Sequence, residues 1–175
     1  MAELLFLHLV VNGQPVTGEA VMPGFKQQIE LTGMSWNIKA EHKEKDDDPD
    51  TVDTTVALQQ LKLEKAFDRS STLLCRYMDK RTRFDTATIT MLSATLWGAD
   101  KRHLPLLTLR LKSGYVENLS LQVSPSGKSM AVKESLLLSY RASHLEYHPG
   151  DVTRGRASPT VFDYVANSIG LKEPS

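Results

Sequence analysis

Apolar and polar side chains alternate along most of this chain, with the period of two that puts successive residues on opposite faces of a sheet. The alternation runs at about 3–12, 16–21, 27–40, 53–65, 84–97, 104–112, 115–123 and 131–147. Between these stretches lie "VNGQP" at 11–15, "GADKRH" at 98–103, "KSG" at 112–114 and "SPSGKS" at 124–129. They supply the Gly, Pro and Asn that tight reversals require. Short strands joined by tight turns predict a mainly β fold with antiparallel neighbours, a barrel or a sandwich.

Two strands change phase partway. In "IELTGMSWNIK" the large apolar residues are Ile29 and Leu31, then Met34, Trp36 and Ile38, so the inward face changes parity at Gly33, where a bulge is expected. In "TTVALQQLKLEK" the phase moves from Val56 and Leu58 to Leu61 and Leu63 across Gln59 and Gln60. Both strands should bend strongly, which favours a curved sheet closing on itself. One segment breaks the β pattern. Ser70 and Ser71 are good N-cap residues, and Leu73, Leu74, Tyr77 and Met78 form one stripe at helical spacing. A short amphipathic helix over about 71–80 is expected, capped by Ser71, with no Glu or Gln at N3 to close a capping box.

Composition sets the class. The chain has 175 residues, 41% of them apolar and 24% charged, and is expected to form one domain that buries a core without staples. Its 21 basic and 21 acidic residues give a formal net charge of zero. No overall field draws it to nucleic acid or an anionic membrane, and little charge opposes self-association. The single cysteine, Cys75, excludes an internal disulfide and reads as a small core residue. The start, "MAELLFLHLVV", has Glu3 where a signal peptide needs positive charge, so it is read as a first strand. No apolar run approaches a membrane span. Neither a cofactor nor a metal is expected.

Three segments occur in order: "IELTGMSWN", "LKLEKAFDRSSTLL" leading into the helix, and "ESLLLSYRASHLEYHP". Together they resemble the haemolysin-coregulated protein (Hcp) family of the bacterial type VI secretion system, over roughly residues 3–167. The resemblance implies a bent β-barrel of two antiparallel sheets with one flanking helix. The barrel core would span about 3–147, and 148–175 would hold a polar linker and the short apolar segment "VFDYVAN", expected as a strand. It further implies six-membered rings stacking into a hollow tube, assembled in the cytoplasm inside a sheath, tipped by a spike and expelled with effector proteins. No cleaved signal peptide is expected, and the role is structural rather than enzymatic.

On this likeness Ser35 stands at the serine of an aromatic-Ser-Trp segment that faces the lumen, and Asn37 and Lys39 share its face. Met34 replaces the aromatic residue, Asn37 replaces a glycine after the tryptophan, and Thr72 stands where proline often starts the helix. The stretch "EHKEKDDDPD" at 41–50 holds six acidic and two basic residues. A solvated loop explains it, and it lacks the Asp spacing, glycine and final glutamate of a calcium loop. With the resemblance, Asp46, Asp47, Asp48 and Asp50 are expected to reach basic residues such as Lys80, Arg81, Lys101 or Arg102 on the next ring.

Catalytic patterns are weak. "PSGKS" lacks the first glycine of a phosphate loop and reads as a hairpin turn. His144 and His148 are four apart, adjacent on a helix, but the segment reads as a strand, where that spacing is about 13 Å and too long for one metal. No Gly-x-Ser-x-Gly elbow occurs, so a hydrolase is the weakest reading. Trp36, Trp97, Tyr140 and Tyr147 read as core residues. The alternative to a tube subunit is a monomeric β-barrel that binds a sugar or small ligand.

Overall fold

The computed structural model describes residues 4–44, 52–97, 102–149 and 158–165. Nine strands and one helix follow the chain: β1 (Leu4–Val11), β2 (Gln14–Pro15), β3 (Ile29–Leu31), β4 (Gly33–Glu44), β5 (Val52–Ala66), α1 (Arg69–Asp79), β6 (Phe84–Trp97), β7 (Arg102–Ser126), β8 (Ser129–Tyr147) and β9 (Thr160–Val165). Every pairing is antiparallel, in the order β2-β1-β6-β7-β8-β5-β4, with β3 beside β1 and β9 beside β8.

This path folds in half along its two longest strands. The start of β7 borders β6 up to Gly114, and the end of β8 borders β9 from Ala142. Beyond that, β8 turns its edge to β5, which pairs with β4. At the junction Ser113 has φ 53°, and the buried parity changes from Leu109 and Leu111 to Gly114 and Val116. Opposite, it changes from Ser143 to Tyr140 and Leu138. The result is two walls sharing β7 and β8, with one core between them. Leu7, Leu9, Ile89, Leu109 and Leu111 from the first wall meet Leu61, Leu63, Val116, Leu136 and Leu138 from the second.

Glycine is required at the corner by space. A Cβ on Gly114 would lie 1.8 Å from the Ser139 carbonyl oxygen and 2.5 Å from the Phe84 ring. The "KSG" segment therefore marks a corner inside one 25-residue strand rather than a reversal between two. The free borders of the two walls are joined by chain instead of a ladder. Leu31 pairs with Leu5 in the first wall, Gly33 pairs with Glu64 in the second, and the Thr32 N–H donates to the Glu64 carbonyl at 2.7 Å. So Gly33 is the point where a strand changes partners, not a bulge, and hydrogen bonds do not close the sheet. The phase change at Gln59–Gln60 is a bulge: Trp36 faces Leu61, but Ile38 faces Leu58.

Two other elements differ from the pattern. Residues 16–21 alternate in burial but join no ladder; Gly18 and Ala20 bond back to Gln27 and Gln28 around a Pro23–Gly24 turn. This loop covers the far side of β1, where Phe25 stacks on Phe6 at 4.8 Å. The turns at Asn12–Gly13, with positive φ at both, and at Gly127 form the expected hairpins. β9 is the expected terminal strand.

The helix begins two residues before the predicted start. Asp68 is the N-cap: its side chain accepts from the Ser70 N–H at 2.9 Å, and the Ser71 hydroxyl accepts from the Asp68 N–H at 3.0 Å. The capping box, expected to be absent for want of Glu or Gln, is closed by serine at N3. Thr72 is then the fourth helical residue, so proline's advantage at N1 does not apply to it. Leu74 is fully buried in the core, with Leu73, Tyr77 and Met78 packed around it.

A buried cation fixes this start to the second wall. Lys65, 1% exposed, has its Nζ 2.7 Å from Glu134 Oε2, 2.8 Å from Asp68 Oδ1, 2.9 Å from Ser71 Oγ and 2.9 Å from the Ala66 carbonyl. Lys65 and Glu134 are direct cross-strand partners on β5 and β8. The Ser71 hydroxyl also donates to Glu134. One ammonium thus joins two strands, the cap and the first turn, and removing it leaves a charge buried without its partner. Lys65→Met should cost about 3–5 kcal/mol by urea denaturation. Lys65→Met combined with Glu134→Leu should cost clearly less than the two single changes added. Additive losses would contradict the coupling.

Candidate polar sheet face

The second wall has one apolar and one polar side. Its core side carries Leu61, Leu63, Leu136, Leu138 and Val116. Strand alternation sends the intervening residues outward: Ser35, Asn37 and Lys39 from β4, Gln60, Lys62 and Glu64 from β5, Lys133, Ser135 and Ser139 from β8, and Asn118, Ser120 and Gln122 from β7. The register aligns them in rows. Ser35 lies opposite Lys62, then Leu137, then Asn118; Glu64 lies opposite Ser135, then Ser120; Gln122 lies opposite Lys133. Leu137 is the one large apolar residue in these rows.

Ser35, Asn37 and Lys39 are therefore three members of a four-stranded polar surface, and all three are exposed. Behind them Met34 and Trp36 pack on the core, and the Trp36 indole N–H donates to the Tyr140 hydroxyl. Burial raises the Tyr140 phenol above its ordinary value, against the opposing effect of that bond. The rest of the surface was present in the sequence as alternation in "QQLKLEK", "NLSLQ" and "KESLLLS". What the sequence did not give was the register that brings those strands beside β4.

The apolar side of the same wall runs past its own core. Leu121, Val123 and Met130 continue its parity onto the free end of the β7–β8 hairpin, yet are 51%, 59% and 61% exposed. Phe67, whose N–H bonds the Val132 carbonyl, lies beside them at 47%. Along β9 and its partner strand, Tyr147 and Phe162 are exposed on one face of the sheet, and Val161 and Val165 on the other. Tyr147, expected in the core, is exposed because it lies at the end of β8, opposite Thr160 and past Leu145, the last residue of that strand packed on the core. The Trp97 side chain lies outside the described residues.

The other sequence-derived candidates separate. Asp46, Asp47, Asp48 and Asp50 lie outside the described residues, as does Lys101. Lys80 caps the helix C-terminus, and Arg81 bonds Glu117 at 2.9 Å while lying 4.9 Å over the Tyr115 ring. His144 pairs with Asp163 of β9, and His148 Nε2 lies 2.8 Å from Glu146. Arg110, Lys112, His144 and Asp163 border a hollow of about 170 Å³, below the roughly 300–1,000 Å³ of small-molecule pockets. Among the described residues no group of three or more His, Cys, Asp and Glu is arranged to hold a metal.

The family model described as "Type VI secretion system effector, Hcp" matches residues 6–147, most of the chain, from within β1 to the end of β8. The chain belongs to the Hcp family. Several Hcp structures share its fold. A structure described as a type six secretion system protein is 18% identical, with 94% of this chain and 96% of that one covered and a TM-score of 0.75. Hcp1 of Salmonella typhimurium is 24% identical over 94% and 95%, TM-score 0.69. The secreted protein Hcp3 of Pseudomonas aeruginosa is 14% identical over 95% and 100%, TM-score 0.62. No curated protein sequence matches. The bent antiparallel barrel with one flanking helix is thus the Hcp fold, its two sheets here being the two walls of one continuous hydrogen-bonded path.

At the corner end of the polar face, Glu117 is the extra residue of a bulge between Val116 and Asn118. It accepts from the Ser139 hydroxyl at 2.6 Å and from Arg81. The Ser139 bond first, then Arg81, hold its carboxyl below the model-peptide value of 4.5, against a smaller opposing effect of burial. A lowered carboxyl stabilises the fold above its unfolded value, and that contribution is lost as pH falls through the folded value. Glu117→Gln should therefore cost about 1 kcal/mol at neutral pH. The difference from wild type should shrink as pH falls below 4.5. A constant difference across that range, in denaturant titrations, would contradict the assignment.

Proposed function

We propose that this chain is the tube subunit of a type VI secretion apparatus, a structural rather than catalytic protein. Copies associate side by side into six-membered rings, and rings stack into a hollow tube that is assembled in the cytoplasm and expelled with effectors. The polar face holding Ser35, Asn37 and Lys39 lines the bore, and spike and sheath proteins are its other partners. The single observation carrying this reading is that the second wall is polar on one side while its apolar side extends uncovered onto the β7–β8 arm. A two-stranded arm with an exposed apolar face is not stable in water by itself. A neighbouring copy covers it, and the exposed Tyr147 and Phe162, on one face of the β8–β9 edge, are a different patch suited to receive it. Contacts between two different patches are heterologous and generate rings when the rotation closes. A polar bore lets cargo slide, whereas an apolar one would hold it.

Size measurement separates this from a monomeric ligand-binding barrel. Purified protein at micromolar concentration should scatter light as a ring of about six copies. Val123→Asp, at a 59% exposed position, should yield folded monomer. A monomeric wild type, or a variant that keeps the ring, would overturn the reading.

Ring stacking is assigned to the acidic segment that includes Asp46, Asp47, Asp48 and Asp50, meeting basic residues of the adjacent ring such as Lys80. Arg81 is less available because Glu117 already holds it. Exposed ion pairs are screened within about 10 Å at 0.1 M salt. Sedimentation of tubes should therefore shift toward single rings as salt rises. Tube length independent of salt would remove the acidic segment from the contact.

A further inference from the structure

The chain as a whole is neutral, but its polar face is not. Among the residues whose side chains are described, Lys39, Lys62, Lys133 and Arg141 project from the strands on this side, against the strand carboxylate of Glu64 and the bulged Glu117. Both carboxylates are already occupied. Glu64 Oε1 lies 3.2 Å from Lys62 Nζ, and Glu117 lies 2.9 Å from Arg81. Lys133 and Arg141 are exposed and have no ionic partner among the described residues. The charge left to meet a partner is therefore positive. It is carried by Lys39 on β4 and by Lys133 and Arg141 on β8, with hydroxyl and amide side chains between the cations.

We propose that this face selects protein cargo with an acidic surface. The inference rests on the bore assignment above. In a closed ring every copy turns the same cations inward, and a concave surface of one sign within low-dielectric walls focuses its field on whatever enters. The interspersed serines and glutamines supply adaptable hydrogen bonds without an apolar grip. Recognition is then by sign of charge and is weak at each contact, so cargo is retained and still released when salt or geometry changes.

The test uses assembled wild-type protein and two surface-charge variants of one monomeric fluorescent protein, one strongly anionic and one strongly cationic. The anionic probe should co-sediment with the assemblies on the order of ten-fold more than the cationic one. The preference should fall on raising salt and vanish in Lys133→Glu/Arg141→Glu assemblies. Equal retention of the two probes, no retention of either, or a preference unchanged by the double variant would overturn the proposal. A bulky maleimide at Ser35→Cys, in a Cys75→Ser background, separates the two claims. If the label abolishes retention while unlabelled assemblies hold both probes equally, only the charge selection fails. If the label leaves retention unchanged, the bore assignment fails with it.

Discussion

A sheet with one apolar side must bury that side, and a single long antiparallel pair cannot do so against itself without turning a corner. β7 and β8 turn at Ser113–Gly114, where a left-handed residue and a missing Cβ let the strand swing while the ladder to β8 keeps its register. Once they turn, the rest is constrained. The two halves face each other, the leucines of both enter one core, and the reverse side of the second half is left to water, while the Pro23–Gly24 loop covers part of that of the first. The polar face is thus a product of the corner as much as of the residues on it.

The helix closes one end of this folded sheet, and its position depends on burying an ammonium. A lysine inside a protein is costly unless it is paired and hydrogen-bonded. Lys65 has two carboxylates, a hydroxyl and a carbonyl around it. The "EKAFDRSS" segment reads in these terms: Lys65 is the buried cation, Asp68 the cap that also binds it, and Ser71 the N3 residue that bonds the cap and Glu134. Beside this cluster the core ends and the exposed arm begins, with Phe67 at the junction.

Much of this was legible in the sequence because side-chain alternation is a local property. The extents of β6 and β8, the Asn12–Gly13 and Gly127 turns, the phase change at Gln59–Gln60 and the existence of the helix all follow from neighbours in the chain. What could not be read were events decided by partners distant in sequence. Gly33 changes partners because β1 and β5 compete for one strand, and Gly114 is small because Phe84 and Ser139 occupy its space. Val123 and Met130 look like core residues to any pattern, and only the register shows that this chain's own core stops short of them. Ser35, Asn37 and Lys39 were correctly placed on one wet face, but its breadth required knowing that β5, β8 and β7 continue it.

The account turns on which wall faces the axis of the assembly. A side-chain-resolution cryo-EM map of the assembled protein measures that directly. The account predicts a ring whose bore is lined by Ser35, Lys62, Ser135 and Ser120, with the β7–β8 arm seated on the neighbouring copy. A ring whose bore is lined instead by β1, β6 and β9, or an arm left in solvent, would contradict it.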